Sequence, residues 1–295
     1  MARIFDAPQS AIFEQHQYQK ADLGTPLEYD DGRLYRYGLA GATALATGKL
    51  MQSVAPLAGH TNIACDVARA IGAESISATL NTTAAAIDIY AEGYVHINDA
   101  TGEGYLYRIA KACSAGDAHA AATSTGVLTV NLAAGVTVQV ALVAATSEVS
   151  FTRNTYHSVI IHPSPPTAEL AGVTQRAVTA LYYCWLQRKG TCTVLGDGTL
   201  LAGLPIQASI TVDGAVEGKK RRVRSGSTAA ADSTAGTLLE DQDGSETVLR
   251  AMGASMAIDT TVDITGPISI NAPTIGVCKK ANADTEYALV NLALE

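Results

Sequence analysis

Five cysteines and six histidines are the side chains of this 295-residue chain best fitted to hold a metal or supply a nucleophile. Cys65, Cys113, Cys184, Cys192 and Cys278 are scattered and odd in number, without a CxxC pair or a Cys/His group at zinc-finger spacing. They read as buried free thiols, because an unpaired cysteine packs like a small hydrophobe. A hairpin between Cys184 and Cys192 would bring those two together, and an oxidising medium would permit a bond between subunits. The histidines, His16, His60, His96, His119, His157 and His162, fit neither HExxH nor HxH nor a Cys–His pattern. His96 in "YVHIN" and His157 in "YHSVI" are expected inside strands, facing outward or hydrogen-bonded.

Other motifs approach chemistry and miss it. "GATALATGKL" (41–50) has the GK of a phosphate-binding loop, but Thr43 takes the first glycine's place and Leu50 replaces the Ser or Thr that would hold magnesium. "EDQDGSE" (240–246) gathers acids around one glycine without the alternating oxygen ligands of a calcium loop, and reads as a solvated turn. Asn81 opens an N-x-T glycosylation pattern, and no GxSxG elbow is present. The strongest charge feature is "KKRRVR" (219–224), followed by "SGSTAAADSTAG". It is either a solvated loop or a basic handle, Lys219, Lys220, Arg221 and Arg222, that docks on an acidic neighbour. No catalytic centre, metal or cofactor is expected. A hydrolase whose active site is assembled from distant strands is the competing enzymatic reading.

Composition points the same way. Apolar residues make up 47% of the chain, enough for a buried core, but aromatics are only 5% and charged residues 16%. A soluble domain ordinarily carries about 25% charged residues. So low a charge leaves much surface to Thr, Ser, Ala and Gly or to another protein, which suggests assembly. The formal charge of −8 argues against coating nucleic acid, which needs a basic surface. The first residues lack the apolar run of a signal peptide, and no stretch approaches the roughly 20 apolar residues that span a bilayer. A soluble protein made in a cytoplasm, with no membrane partner, is the expectation.

The elements that would carry these residues are short strands. "RLYRY", "KLMQSVA", "SISATL", "AIDIY", "YVHIN", "GYLYRIAK", "VLTVN", "VQVALVA", "EVSFT" and "YHSVIIH" follow one another, many alternating between apolar and polar positions. "NDATGEG" (98–104) reads as a hairpin loop. "TNIACDVARAIGA" (61–73) is the one candidate helix, with Ile63, Val67 and Ile71 at i, i+4 and i+8. "HPSPPTAELAG" (162–172), with three prolines, is the expected domain boundary. Beyond it come "ALYYCWLQ", "TCTVL", "LPIQASITV", "GTLLE", "MAIDTTVDI" and the closing "TIGVCKKANADTEYALVNLAL". The spacing predicts an all-β chain of two small sandwich- or barrel-like domains, 31–162 and 163–295, with little helix. Residues 1–30 read as an extended arm whose Ile4, Phe5, Ile12 and Phe13 pack on a neighbouring subunit. An internal echo sets Tyr35, Gly41 and Leu45 at the spacing of Cys184, Gly190 and Val194.

Four blocks carry a resemblance to a known family. "DLGTPLEYDDGRLYRYGLAGATALATGKLMQS" (22–53) resembles an N-terminal signature of virion structural proteins of tailed bacteriophages. "EGYVHINDATGEGYLYRI" (92–109) is similar to that family's hairpin, and "AGVTQRAVTALYYCWLQRKGTCTVL" (171–195) to its "GV….A…YYGW.Q..G" segment. The closing strands resemble those of small β-rich head decoration, or cement, proteins. The resemblance implies that Trp185 is a core aromatic and that Gly190 allows the turn after its strand. It implies a protein on the capsid exterior that binds the major capsid protein across capsomer boundaries. It further implies that the protein associates with itself, as a trimer in preference to a dimer. A tail- or receptor-associated β module is the alternative. The capsid contacts expected are Ile4, Phe5, Ile12, Phe13 and the basic run.

Overall fold

The computed structural model describes residues 4–5, 7–111, 121–219, 221–223, 238–240, 246–247, 273–280 and 282–294. Strand formation dominates. The first strands are β1 (Ile4–Phe5), β2 (Pro26–Glu28), β3 (Leu34–Leu39) and β4 (Leu50–Gln52). Next come β5 (Ile63–Ala64), β6 (Ser75–Thr79), β7 (Tyr94–Asp99), β8 (Leu106–Arg108), β9 (Val127–Asn131) and β10 (Glu148–Thr152). They are followed by β11 (Ile160–Ile161), β12 (Leu170–Thr174), β13 (Tyr183–Asp197), β14 (Pro205–Ala208) and β15 (Val216–Gly218). The last are β16 (Arg221–Val223), β17 (Leu238–Glu240), β18 (Glu246–Thr247), β19 (Gly276–Lys280) and β20 (Tyr287–Ala293). Among the described residues the one helical piece is a 3₁₀ helix, Gln9–Phe13. The chain is all-β.

Two kinds of β unit result. In the first, β13, β15, β14, β19 and β20 pair in turn, and β20 pairs back to β13, closing a five-strand mixed barrel. Alternation aims Cys192, Val194, Ile206, Val216, Cys278, Ala288, Val290 and Leu292 into one buried cluster. Small and branched side chains suit so narrow an interior, and each buried Val, Leu or Ile contributes about 1.5–3 kcal/mol. In the second, the sheet β5-β10-β7-β8 and the pair β6-β9 share one apolar core with Ile76, Leu128, Val95, Ile97, Val149 and Phe151. This is a small sandwich. The hairpin expected at residues 98–104 joins β7 to β8, with His96 opposite Leu106.

The sandwich is an insertion. Its core spans residues 63–151, while β4 before it pairs with β11 and β12 after it. Residues 162–172, expected as a domain boundary, therefore run into the larger sheet, and strands from both sides of them pair there. The three prolines mark a link between β11 and β12.

β13 joins the packing layers. Its first half is paired at both edges, with β3 and β12, and its two faces are buried in different clusters: Cys184 and Leu186 enter one and Trp185 another. Its second half belongs to the barrel. Between them the register shifts at Gln187–Lys189, and Gly190 takes φ +86°. A Cβ on Gly190 would stand 3.0 Å from the Cα of Arg33. The glycine thus permits a bulge within one 15-residue strand rather than a turn after it. No hairpin separates Cys184 from Cys192.

A repeated unit emerges from the backbone. Leu45 and Val178, Arg69 and Leu142, and Ala85 and Ala122 form reciprocal antiparallel bridges, each pair nested inside the previous one. Every one of these six residues follows an exposed alanine: Ala44, Ala68, Ala84, Ala121, Ala141 and Ala177. Three positions after the bridge the backbone turns left-handed at Gly48, Gly72, Asp88, Ala145 and Leu181. This unit corrects three sequence expectations. "AIDIY" is a turn with Ile87 exposed, "VQVALVA" contributes only the bridge at Leu142, and residues 61–73 form no helix. In that last segment Ile63 and Cys65 are buried at period two, while Val67 and Ile71 are 42% and 69% exposed.

Candidate functional site

Among the described residues, those nominated by sequence fall in separate places. Ile12 is 3% exposed and packs with Leu27, Tyr35, Tyr37 and Trp185 of its own chain. The backbone of His16 exchanges hydrogen bonds with that of Tyr183 at 3.0 and 2.8 Å, and Arg176 Nη1 donates to the Phe13 carbonyl at 2.5 Å. β1 pairs its backbone with β2, placing Ile4 beside Leu27 and Phe5 beside Glu28. The arm was expected to pack on a neighbouring subunit rather than on its own domain; instead the described part of residues 1–30 makes these contacts with its own chain, and Ile12 is committed to the core. Phe13, 53% exposed, remains at the surface.

The basic run is divided. Lys219 donates its backbone N–H to Pro205 O at 2.9 Å and its Nζ to Thr274 Oγ1 at 2.9 Å. Arg221 and Arg222 belong to β16, in register with Glu240 and Leu239 of β17. Lys220 lies outside the described residues, as do Cys113, His119, residues 224–237, residues 241–245 and "MAIDTTVDI".

The fully buried histidines are hydrogen-bonded within the fold. His60 is fully buried, with Nδ1 2.5 Å from Tyr90 Oη and Nε2 2.7 Å from Thr83 O. His162, also fully buried, lies between the carbonyls of Pro163 and Ala215, each at 2.9 Å. His157 sits in a turn rather than a strand, its Nδ1 2.9 Å from Ser158 Oγ. Burial, then the nearby Arg153 guanidinium, depresses its pKa to about 4. Cys65, Cys184, Cys192 and Cys278 are free and buried. Burial pushes the Cys184 and Cys192 thiols up to about 12. Among the described residues no three His, Cys, Asp or Glu side chains group to hold a metal ion. A shallow cleft of about 410 Å³ opens between Ala7–Gln9 and Tyr29–Asp31.

An exposed, largely apolar face that the sequence reading missed lies outside the barrel. Tyr287 and Leu289 share the outward face of β20, 52% and 37% exposed. Leu195 and Thr193 of β13 stand opposite them. On the other side Val277 of β19, 39% exposed, pairs with Asn291, one outward position beyond Leu289. Thr191 and Lys279 border this face, joined by a 2.8 Å hydrogen bond. The signal was present in "YALVNLAL": both alternating sets are apolar apart from Asn291, and only one can fill the barrel. The arrangement presents apolar and hydroxyl-bearing side chains together on one outward face. The fold and this face define an all-β barrel-and-sandwich protein. No protein-family model, no curated protein and no solved structure matches the chain.

Proposed function

We propose that this chain is a structural virion protein on the exterior of a tailed-bacteriophage head, where it cements neighbouring capsomers. Its partners are the major capsid protein and further copies of itself, three in preference to two. The observation that carries the reading is the outer barrel face of Val277, Tyr287 and Leu289, exposed side by side on a chain with only 16% charged residues. The barrel is already closed and its interior filled, so Val277 and Leu289 add nothing to that interior, and the Tyr287 side chain engages its own chain at Gly48 and Thr47. Exposed apolar side chains gathered on one face are what contact with another protein would bury. The four-block sequence resemblance supplies the kind of partner. Many copies acting in parallel would each need to contribute little for the shell to resist internal pressure.

Stoichiometry on purified virions tests the proposal. Many copies per head, removable to leave intact but more fragile particles, is the expected result. A handful of copies confined to the tail would favour a receptor-associated module, and absence from virions would refute both.

A further inference from the structure

One buried carboxylate is unexplained by the adhesive role. Glu92 has 3% of its side chain exposed, yet its Oε1 accepts a hydrogen bond from Gln19 Nε2 at 2.6 Å and its Oε2 one from the Leu23 N–H at 2.6 Å. Both donors belong to the N-terminal segment, whereas Glu92 enters β7 of the sandwich. Its backbone is anchored independently: its N–H donates to Ala110 O at 3.0 Å, and its carbonyl accepts from Asn154 Nδ2 at 3.0 Å. Glu92 also holds φ +57°, a conformation uncommon for a residue with a side chain, kept only where the surroundings enforce it. The carboxylate is therefore fixed to the sandwich and aimed at the segment.

The segment covers something measurable. Ile12 packs in the cluster of Trp185, the chain's single tryptophan, which is 8% exposed. We propose that Glu92 is the latch of an N-terminal strap: it holds residues 19–23 on the sandwich and keeps Ile12 seated by Trp185. A buried carboxylate is costly unless donors satisfy it, and removing it would leave the Leu23 N–H buried and unpaired. Burial holds the Glu92 carboxyl above its ordinary range, with the Gln19 and Leu23 hydrogen bonds pulling the other way. The docked state consequently binds the proton more tightly than an open one, so docking gains as pH falls through the Glu92 titration. Charged and titratable neighbours are Asp22 and Lys111, paired at 3.1 Å, Arg108 at 3.9 Å, and Tyr183 on β13. His16 and Glu14, 3.4 Å apart, lie on the strap itself.

Acrylamide quenching of Trp185 between pH 4 and pH 8 reads the strap directly in the full-length protein. Amide exchange at Leu23 and tryptic cleavage after the exposed Lys20 at pH 8 provide independent readouts. Wild type should become more quenchable as pH rises. Glu92→Gln, which retains an acceptor for Leu23, should stay protected and lose the pH dependence. Glu92→Ala should lose protection at Trp185 and Leu23 and be cut faster after Lys20, with its β circular dichroism unchanged. Gln19→Ala, missing only one donor, should fall between wild type and Glu92→Ala, and it serves if Glu92→Ala does not fold. A wild-type pH profile surviving in Glu92→Gln, or full Leu23 protection in a folded Glu92→Ala or in Gln19→Ala, would overturn the latch.

Discussion

The ring of Tyr287 lies against the backbone of Gly48: a Cβ built on Gly48 would stand 2.6 Å from Tyr287 Cε1, and Tyr287 Oη donates to the neighbouring Thr47 O at 3.2 Å. Gly48 has φ +66°, and its backbone bonds to both Thr174 and Leu195. It thereby ties a bridge unit to β12, β13 and the start of β20. Gly48→Ala is expected to lose about 1–3 kcal/mol of stability, through left-handed strain and displacement of the ring. Urea unfolding measures the loss. Tyr287→Ala in the same chain should recover the steric part and leave the backbone part. Strict additivity of the two substitutions would show that the ring contact is not the cause.

The cysteines should be inert while the protein is folded. Cys192 and Cys278 both line the barrel, but each stands opposite Val290 from a different side, so one strand separates them. Strands lie about 4.8 Å apart, and two such spacings exceed the roughly 7 Å limit for bridging two Cα atoms. With burial lifting the thiol pKa to about 11 at Cys65 and about 12 at Cys184 and Cys192, little thiolate exists near neutrality. In a Cys113→Ser background an aromatic disulfide reagent at pH 8 should label none of the four before urea is added. Stoichiometric labelling of the folded protein would contradict this packing.

Acid should weaken the fold through His157. Its folded pKa of about 4 lies below the unfolded value near 6.5, so between those limits the unfolded chain binds more protons. Stability is then fully present above about pH 6.5 and declines as pH falls toward 4. Glu92, raised by burial, contributes with the opposite sign in its own window. His157→Asn should flatten the decline in urea midpoint between pH 6.5 and pH 4.5. An unchanged slope would assign the acid sensitivity elsewhere.

Local alternation was legible because it is local. Cys192 with Val194, and Ala288 with Val290 and Leu292, sit on one face at period two and fill the barrel as such patterns do. That Trp185 is a core aromatic was implied by the resemblance and not by the alternation, and it does lie in a buried cluster. The expected helix failed for an arithmetical reason. Ile63, Val67 and Ile71 are four residues apart, a spacing that helices and strands share, and the chain used neither face fully. The insertion was hidden because nothing within residues 53–62 or 152–160 records that β4 closes on β11 and β12. The bridge units were hidden because they are made by the backbone. Their bridging side chains, Leu, Arg, Ala, Ala, Leu and Val, have only the preceding alanine in common. The internal echo matched Leu45 to Val194 where the fold pairs Leu45 with Val178. The outer barrel face escaped notice because a sequence cannot say which of two apolar alternations faces inward.

If the outer barrel face is the adhesive, apolar substitutions and charge substitutions should fail differently on bare heads. Val277→Thr with Leu289→Thr keeps β-branched, strand-favouring residues at both positions but removes apolar bulk and puts hydroxyls where methyl groups would be buried. At about 25 cal/mol per Å² of apolar area removed from water, even partial burial of both side chains is a large share of one copy's attachment. That pair should release faster from heads while attaching at nearly the wild-type rate. Lys219→Ser with Lys220→Ser tests the basic run without touching the paired strand at Arg221 and Arg222. At physiological salt the screening length is about 8 Å, and an exposed ion pair adds only about 0–1 kcal/mol. Those lysines should therefore steer approach more than they retain the protein, so their loss should slow attachment and leave release unchanged. Bound wild-type protein should also survive a high-salt wash. If moderate salt strips it, charge is the main glue and the apolar face is not the site of attachment.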